Sequence, residues 1–242
     1  MSDIAARAVA SFRRPAVWGP LAVIPAMLLI LEPTGWDLLL QDFLWDASGE
    51  GQWIVDAHAE GPRLLFYRLP RLVIMVIGLS ALLAWVAGFL IPALARWRRR
   101  FLFLALAIAL VPGGVGLLKA VTNVHCPSQL TRYGGDQAYD GMGARLFQPV
   151  VTTTRGRCFP AGHASGGYAL LALGWLAVTR RGRLAGWTIG FAAGSVLAGY
   201  QMAKGVHFLS HSLTTLLLAM AITAWLAAII WYEDRAGNRL QD

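Results

Sequence analysis

Carboxylates are missing from a long stretch of this chain, with no aspartate or glutamate between Gly141 and Tyr232. Charge is scarce elsewhere too, at 14% of 242 residues, while 57% are hydrophobic and mean hydropathy is +0.54. A water-soluble domain does not normally carry so much apolar surface, so the scarcity of charge excludes that class. Lysine occurs only as Lys119 and Lys204, and cysteine only as Cys126 and Cys158, so each cysteine has just one possible partner within the chain. No internal repeat or low-complexity tract is present.

The chain has instead apolar runs of about 20 residues, the length a helix needs to cross the hydrocarbon core. Six are read as transmembrane helices, at about 15–31, 71–94, 101–122, 162–178, 184–204 and 208–231, with outer loops at 32–70 and 123–160. The expected fold class is all-α, a polytopic membrane protein in which residues 1–242 form a single membrane domain. Pro20 and Pro25 are expected to kink the first helix, and Pro112-Gly113-Gly114 to interrupt the third. Gly190, Gly194 and Gly199 would let the fifth approach a neighbour closely. The first run follows Arg13 and Arg14 but leads into Leu31-Glu32-Pro33-Thr34, which lacks the small residues of a cleavage site. It is read as an uncleaved span.

A net charge of +8 raises the question of nucleic acid, but its distribution points to a bilayer. Arg7, Arg13, Arg14, Arg96, Arg98, Arg99, Arg100, Arg180, Arg181, Arg183, Arg235 and Arg239, 12 of the 21 basic residues, fall in short flanks that the six spans place on one side. That is the positive-inside pattern, so both termini are expected in the cytoplasm and the opposite helix ends in the periplasm of a bacterial inner membrane. The outer segment 32–70 holds seven of the 13 acidic residues together with Trp36, Trp45 and Trp53, and its stretch Trp36–Trp45 suits a helix lying in the interface. The ten tryptophans read mostly as interface belt and helix packing, and His58 as a surface histidine. In an oxidising periplasm Cys126 and Cys158 would pair, closing a loop of about thirty residues; the alternative is two free thiols.

Chemistry collects at the outer ends of spans three to six. His125, His163, His207 and His211 lie there, as do both lysines. Ionisable groups at this depth are costly unless paired or functional. Arg157 to Gly167 reads as a loop running into a helix, with Pro160 suited to the first turn and glycines that leave backbone N–H groups uncovered, a corner suited to phosphate. His207 and His211, four apart, share a helix face, which raises a metal site. Such a site needs a third ligand, and only Asp136 or Asp140 could supply a carboxylate, so no metal is assigned.

Read in order, the residues are Lys119, six more, then Cys126-Pro127; next Pro160-Ala161-Gly162-His163; then Gln201, five more, His207, three more, and His211. This order resembles the type-2 phosphatidic acid phosphatase superfamily, whose motifs run K-x6-R-P, P-S-G-H and S-R-x5-H-x3-D. The resemblance covers about residues 71–232 and includes the six-helix plan. It implies a membrane lipid phosphatase, metal-independent and without cofactor, that hydrolyses a lipid phosphate or pyrophosphate at the periplasmic face. His207 is the implied nucleophile, forming a phosphohistidine, and His163 the acid for the leaving oxygen and then the base for water. Lys119 and the N–H groups around Gly162 would hold phosphate oxygens. Undecaprenyl pyrophosphate, lipid A phosphates and phospholipid phosphates are the implied substrates.

The departures from the motifs fall on charged positions. Cys126 stands where the family has Arg, Ala161 for Ser, Tyr200-Gln201 for Ser-Arg, and His211 for the orienting Asp. Gln201 keeps a hydrogen-bonding side chain without the charge. Lys204, Arg157, Arg155 and Arg132 are candidates to restore it, Arg157 foremost because it stands six residues before His163. His211 could fix the tautomer of His207, or Asp136 or Asp140 could reach in. Arg132-Tyr133-Gly134-Gly135-Asp136 reads either as a substrate clamp or as a turn with a surface ion pair. Two alternatives share the site: transfer of the phosphoryl group to a second lipid, and a scaffold that binds or transports lipid phosphates without catalysis.

Overall fold

The computed structural model describes residues 9–11, 14–46, 51–139 and 155–231. Asp140, and Arg7, Arg13, Arg235 and Arg239 of the tails, lie outside the described residues. Among the described residues the protein is helical, with no strand and one isolated bridge between Leu130 and Gln137. Four helices are long and apolar enough to cross a membrane: α1 (Pro15–Thr34), α3 (Glu60–Ala87), α5 (Arg98–Val121) and α9 (Leu209–Ile230).

Helix α1 starts with Pro15 in its first turn and stays continuous through Pro20 and Pro25. It ends at Gly35, whose φ of +69° is a left-handed conformation that glycine adopts without strain. That turn launches α2 (Trp36–Asp46), an 11-residue helix whose polarity is inverted relative to a soluble helix. Asp37 and Gln41, four apart, are buried, while Trp36, Leu39 and Phe43 point outward. A helix lying at a lipid interface over a polar interior carries this arrangement.

Two helix boundaries differ from the sequence expectation. The second long helix begins at Glu60, well before residue 71, and contains a wide turn at Leu64–Arg68. It stops at Ala87, before residue 94. Ile91, forced out of helical geometry by the following proline, sits at φ −108° and ψ 107°, and the chain restarts in the short α4 (Pro92–Ala95). Helix α5, in contrast, runs straight through Pro112-Gly113-Gly114, where an interruption was expected. Val111 and Val115 on either side are fully buried, so packing along this face outweighs the propensity cost.

The segment expected as one span over 162–178 is divided into α6 (Gly162–Ala169) and α7 (Ala172–Leu176). Both lie against α8 (Arg180–Ala203), whose N-terminus is capped by Thr179 Oγ1 accepting from Gly182 N at 3.1 Å. The contact is backbone to backbone. A Cβ at Gly190 would overlap Leu171, one at Gly186 would overlap Gly174, and one at Gly194 would overlap the Tyr168 ring. Gly199, also expected to serve this purpose, faces open space; Gly186 takes its place. Helix α8 has the length of a span but falls below the apolarity of the four above.

Helix α9 is the centre of the bundle, packed by α1, α5 and α6. Half of its most apolar window is buried, against 6% for α1 and α3. The core beside it contains Val111, Ala164, Tyr168, Ala198 and Ala219, and below that Phe103, Ala107, Leu226 and Ala227. The bundle has two distinct ends. At one, Arg100 and Arg183 line a shallow pocket with Trp231. The histidines and lysines gather at the other.

Candidate active site

The site is built where the connection between α5 and α6 is drawn together. Cys126 and Cys158 are paired, with Cα atoms 5.2 Å apart across 32 residues of sequence. Cys158 N donates to Val124 O at 2.9 Å, Gly156 N to Asn123 Oδ1 at 2.8 Å, and Thr122 Oγ1 to the carbonyl of Phe159. The last turn of α5 is thereby fixed beside the first turn of α6. Lys119 Nζ comes within 3.6 Å of the place a Cβ would occupy on Gly162.

His207 lies between α8 and α9 and is fully buried. Its backbone is held from several directions. Gly205, at φ +72°, reverses the chain, and Trp53 lies so close over it that a Cβ there would overlap the indole. Ser128 N donates to Gly205 O at 2.9 Å, and Gln41 Nε2 donates to His207 O at 2.9 Å. Ser210 N, in the first turn of α9, donates to Asp37 Oδ1 at 2.9 Å, so the acidic side chain of α2 caps α9 from outside. Burial pushes the Asp37 carboxyl above its ordinary range, and the Ser210 N–H acts against that shift.

Three imidazoles form a row. The ring centroids of His163 and His207 are 5.9 Å apart, and those of His207 and His211 are 5.8 Å apart. His211 is fully buried between Phe159 and Phe208, each ring 5.3 Å away. His163, in the first turn of α6, is partly open and faces Tyr67 at 5.0 Å. The Cys158 carbonyl is the one partner near the ring nitrogens of His207 and His211 among the described residues, no side chain bonds them, and neither polar atom of the Gln201 amide makes a hydrogen bond. Buried polar atoms are rarely left so, and each unsatisfied one costs about 1–3 kcal/mol. A polar ligand or water held among them is the ordinary reason for such a cluster.

The positive charge has a definite layout. Lys119, Lys204 and Arg71 are close enough for their charges to act on His163. Lys204 Nζ lies 4.9 Å over the Tyr200 ring and 5.9 Å from that of Tyr67. Arg71 and His163 both line a cavity of about 440 Å³ between α3, α5, α6 and α8, whose walls also include Phe66, Met75, Ile108 and Leu197. Arg157 and Arg155 are exposed on the loop before Cys158. Arg132 is committed elsewhere: it forms a two-pronged ion pair with Asp42, at 2.7 and 2.6 Å, and its guanidinium holds the Asp42 carboxyl below its ordinary range. The stretch 132–136 is therefore a turn with a surface ion pair, and Asp136 is exposed within it. His58 is exposed, its N–H bonded to Asp56. Among the described residues no group of three His, Cys, Asp or Glu side chains is placed to hold a metal ion.

Asp37, Gln41, Tyr67 and Arg71 were not singled out from the sequence as parts of a site. A signal existed, since Asp37 and Gln41, like Tyr67 and Arg71, are spaced four apart, polar or amphipathic on one face of otherwise apolar helices. A family model described as PAP2 superfamily matches residues 100–235, more than half of the chain. No curated protein and no solved structure matches it.

Proposed function

The chain belongs to the PAP2 superfamily, the type-2 phosphatidic acid phosphatases, and from that premise we propose that it is a membrane lipid phosphatase working through a phosphohistidine on His207. The observation that carries this reading is the row of three buried or half-buried imidazoles with Lys119 and Gly162 beside it, in which the nitrogens of His207 and His211 and Nδ1 of His163 have no side-chain hydrogen-bond partner among the described residues. A phosphoryl group is the ligand such a pocket satisfies: its oxygens accept from Lys119, the Gln201 amide and the N–H groups at the start of α6, and they balance the local positive charge.

In the proposed reaction a ring nitrogen of neutral His207 attacks phosphorus in line with the leaving oxygen. The bond from phosphorus to that oxygen breaks, and His163 supplies the proton the oxygen takes up. Water then attacks the phosphohistidine and gives its proton to His163. The P–N bond breaks and inorganic phosphate leaves. His211 sits behind His207 where the family has Asp, and as a neutral acceptor it would set the His207 tautomer. These steps use side chains alone and call for no cofactor.

We further place the chain, as a single membrane domain, in a bacterial inner membrane with both termini in the cytoplasm. In this arrangement the broken pair α6–α7 and the glycine-rich α8 complete six crossings, and the site faces the periplasm. Gly186, Gly190 and Gly194 support it, since close backbone packing of α8 against α6 and α7 holds these segments side by side as neighbouring crossings.

The departures at Cys126, Gln201 and His211 favour a second reading, a scaffold that binds a phosphorylated lipid without hydrolysing it. Purified protein incubated with lipid phosphates in EDTA separates the two. Metal-independent phosphate release that is lost in His207→Ala and His163→Ala supports the enzyme. Retained lipid binding with no release from any substrate supports the scaffold.

A further inference from the structure

Resting on the phosphatase reading, we infer that Arg71 determines specificity by binding a second phosphate on the leaving side of the reaction, so that the preferred substrate is a lipid diphosphate. The argument begins with direction. His207 is fully buried, His163 lies next toward the cavity, and Arg71 and Tyr67 line that cavity together with His163. In-line displacement sends the leaving group away from the nucleophile, hence past His163 and into the space that Arg71 borders. Whatever departs must therefore match both the apolar walls and the guanidinium.

The walls are those of a lipid chain. Phe66, Ile74, Met75, Ile108 and Leu197 leave about 440 Å³, and α3 exposes Leu72, Val73 and Val76 beside it. Arg71 is the misfit in this lining. It is an exposed arginine at the rim, with no carboxylate partner among the described residues. Lys119, beside Gly162, is placed for the transferred phosphoryl group, while Arg71 belongs to the cavity wall that His163 shares. A leaving group that is a plain alcohol gives Arg71 nothing to neutralise. A departing lipid monophosphate brings an anion to it.

The step balances without further reagents. The terminal phosphoryl group bonds to a His207 nitrogen, and the bond from terminal phosphorus to bridging oxygen breaks. That oxygen stays with the lipid phosphate, takes the proton from His163, and leaves with its remaining negative charge against Arg71.

The test measures kcat/KM for phosphate release from farnesyl diphosphate and from farnesyl monophosphate in detergent micelles. Unmodified protein should favour the diphosphate by about tenfold or more, and Arg71→Gln should lower the diphosphate-to-monophosphate ratio by about 10- to 100-fold, the range of one charge-assisted hydrogen bond. Arg71→Lys should restore part of the ratio. Arg68→Gln, on the same helix but paired with Glu60, should leave it unchanged. A ratio of one or less in unmodified protein, or an equal loss on both substrates in Arg71→Gln, overturns the inference while leaving a phosphatase. Release from neither substrate by unmodified protein overturns the phosphatase reading itself.

Discussion

The side-chain amide of Gln41 donates a hydrogen bond to the main-chain carbonyl of His207 across 166 residues of sequence, at 2.9 Å and with both residues fully buried. A short helix outside the family match thus braces the proposed nucleophile from behind. Removing the donor strands a buried carbonyl, at a cost of about 1–3 kcal/mol, and frees the loop to move. Gln41→Ala should lower kcat by about 10- to 100-fold while KM changes little. Steady-state kinetics with circular dichroism as a fold control check this; unchanged kcat would mean the bond only stabilises the fold.

Reducing the Cys126–Cys158 bond should loosen the register between Lys119 and Gly162. In the chain-entropy treatment a loop of 32 residues contributes about 3–4 kcal/mol. The Cys126→Ala, Cys158→Ala double variant is expected to lose about that much stability and to bind substrate more weakly. Thermal melts with and without reductant give the first number, and KM the second.

The glycine stripe of α8 makes a prediction with its own control. Gly190→Ala must push against the Leu171 backbone and should cost about 1–3 kcal/mol, as overpacking does. Gly199→Ala meets nothing within 4 Å and should be neutral or stabilise by up to about 1 kcal/mol through helix propensity. Melting temperatures of the two variants in the same detergent decide it.

The Asp42–Arg132 pair sets a pH dependence at low pH. Its carboxyl is held below the ordinary value of 3.8, so folding gains from the ionised form above that pH and loses the gain as pH falls through the depressed value. Asp42→Asn should therefore lower the melting temperature at pH 7 and converge with unmodified protein in strong acid. Both partners are partly exposed, so the difference should be small and should shrink in high salt.

Much of the site was legible in the sequence because its residues stand at helix ends in a fixed order. His163, His207 and His211 stand in one row, and Lys119 lies beside Gly162 next to it. Arg157 was favoured as the replacement cation on spacing; both it and Arg71 are exposed, and Arg71 is the one that lines the cavity beside His163. Spacing reports neighbours along one helix or loop. It carries no information about which face of a helix 90 residues away turns toward them.

By itself the sequence determined the helical membrane class, the arginine-rich end of the bundle and the collection of histidines and lysines at the other, because hydropathy and charge act locally on each segment. Only the tertiary structure decided that α5 ignores its proline, that the segment from Gly162 breaks in two over a glycine stripe, and that α2 and α3 bring Asp37, Gln41, Tyr67 and Arg71 to the site. Those outcomes depend on close packing between segments far apart in the chain, where a missing Cβ or a buried amide outweighs any local preference.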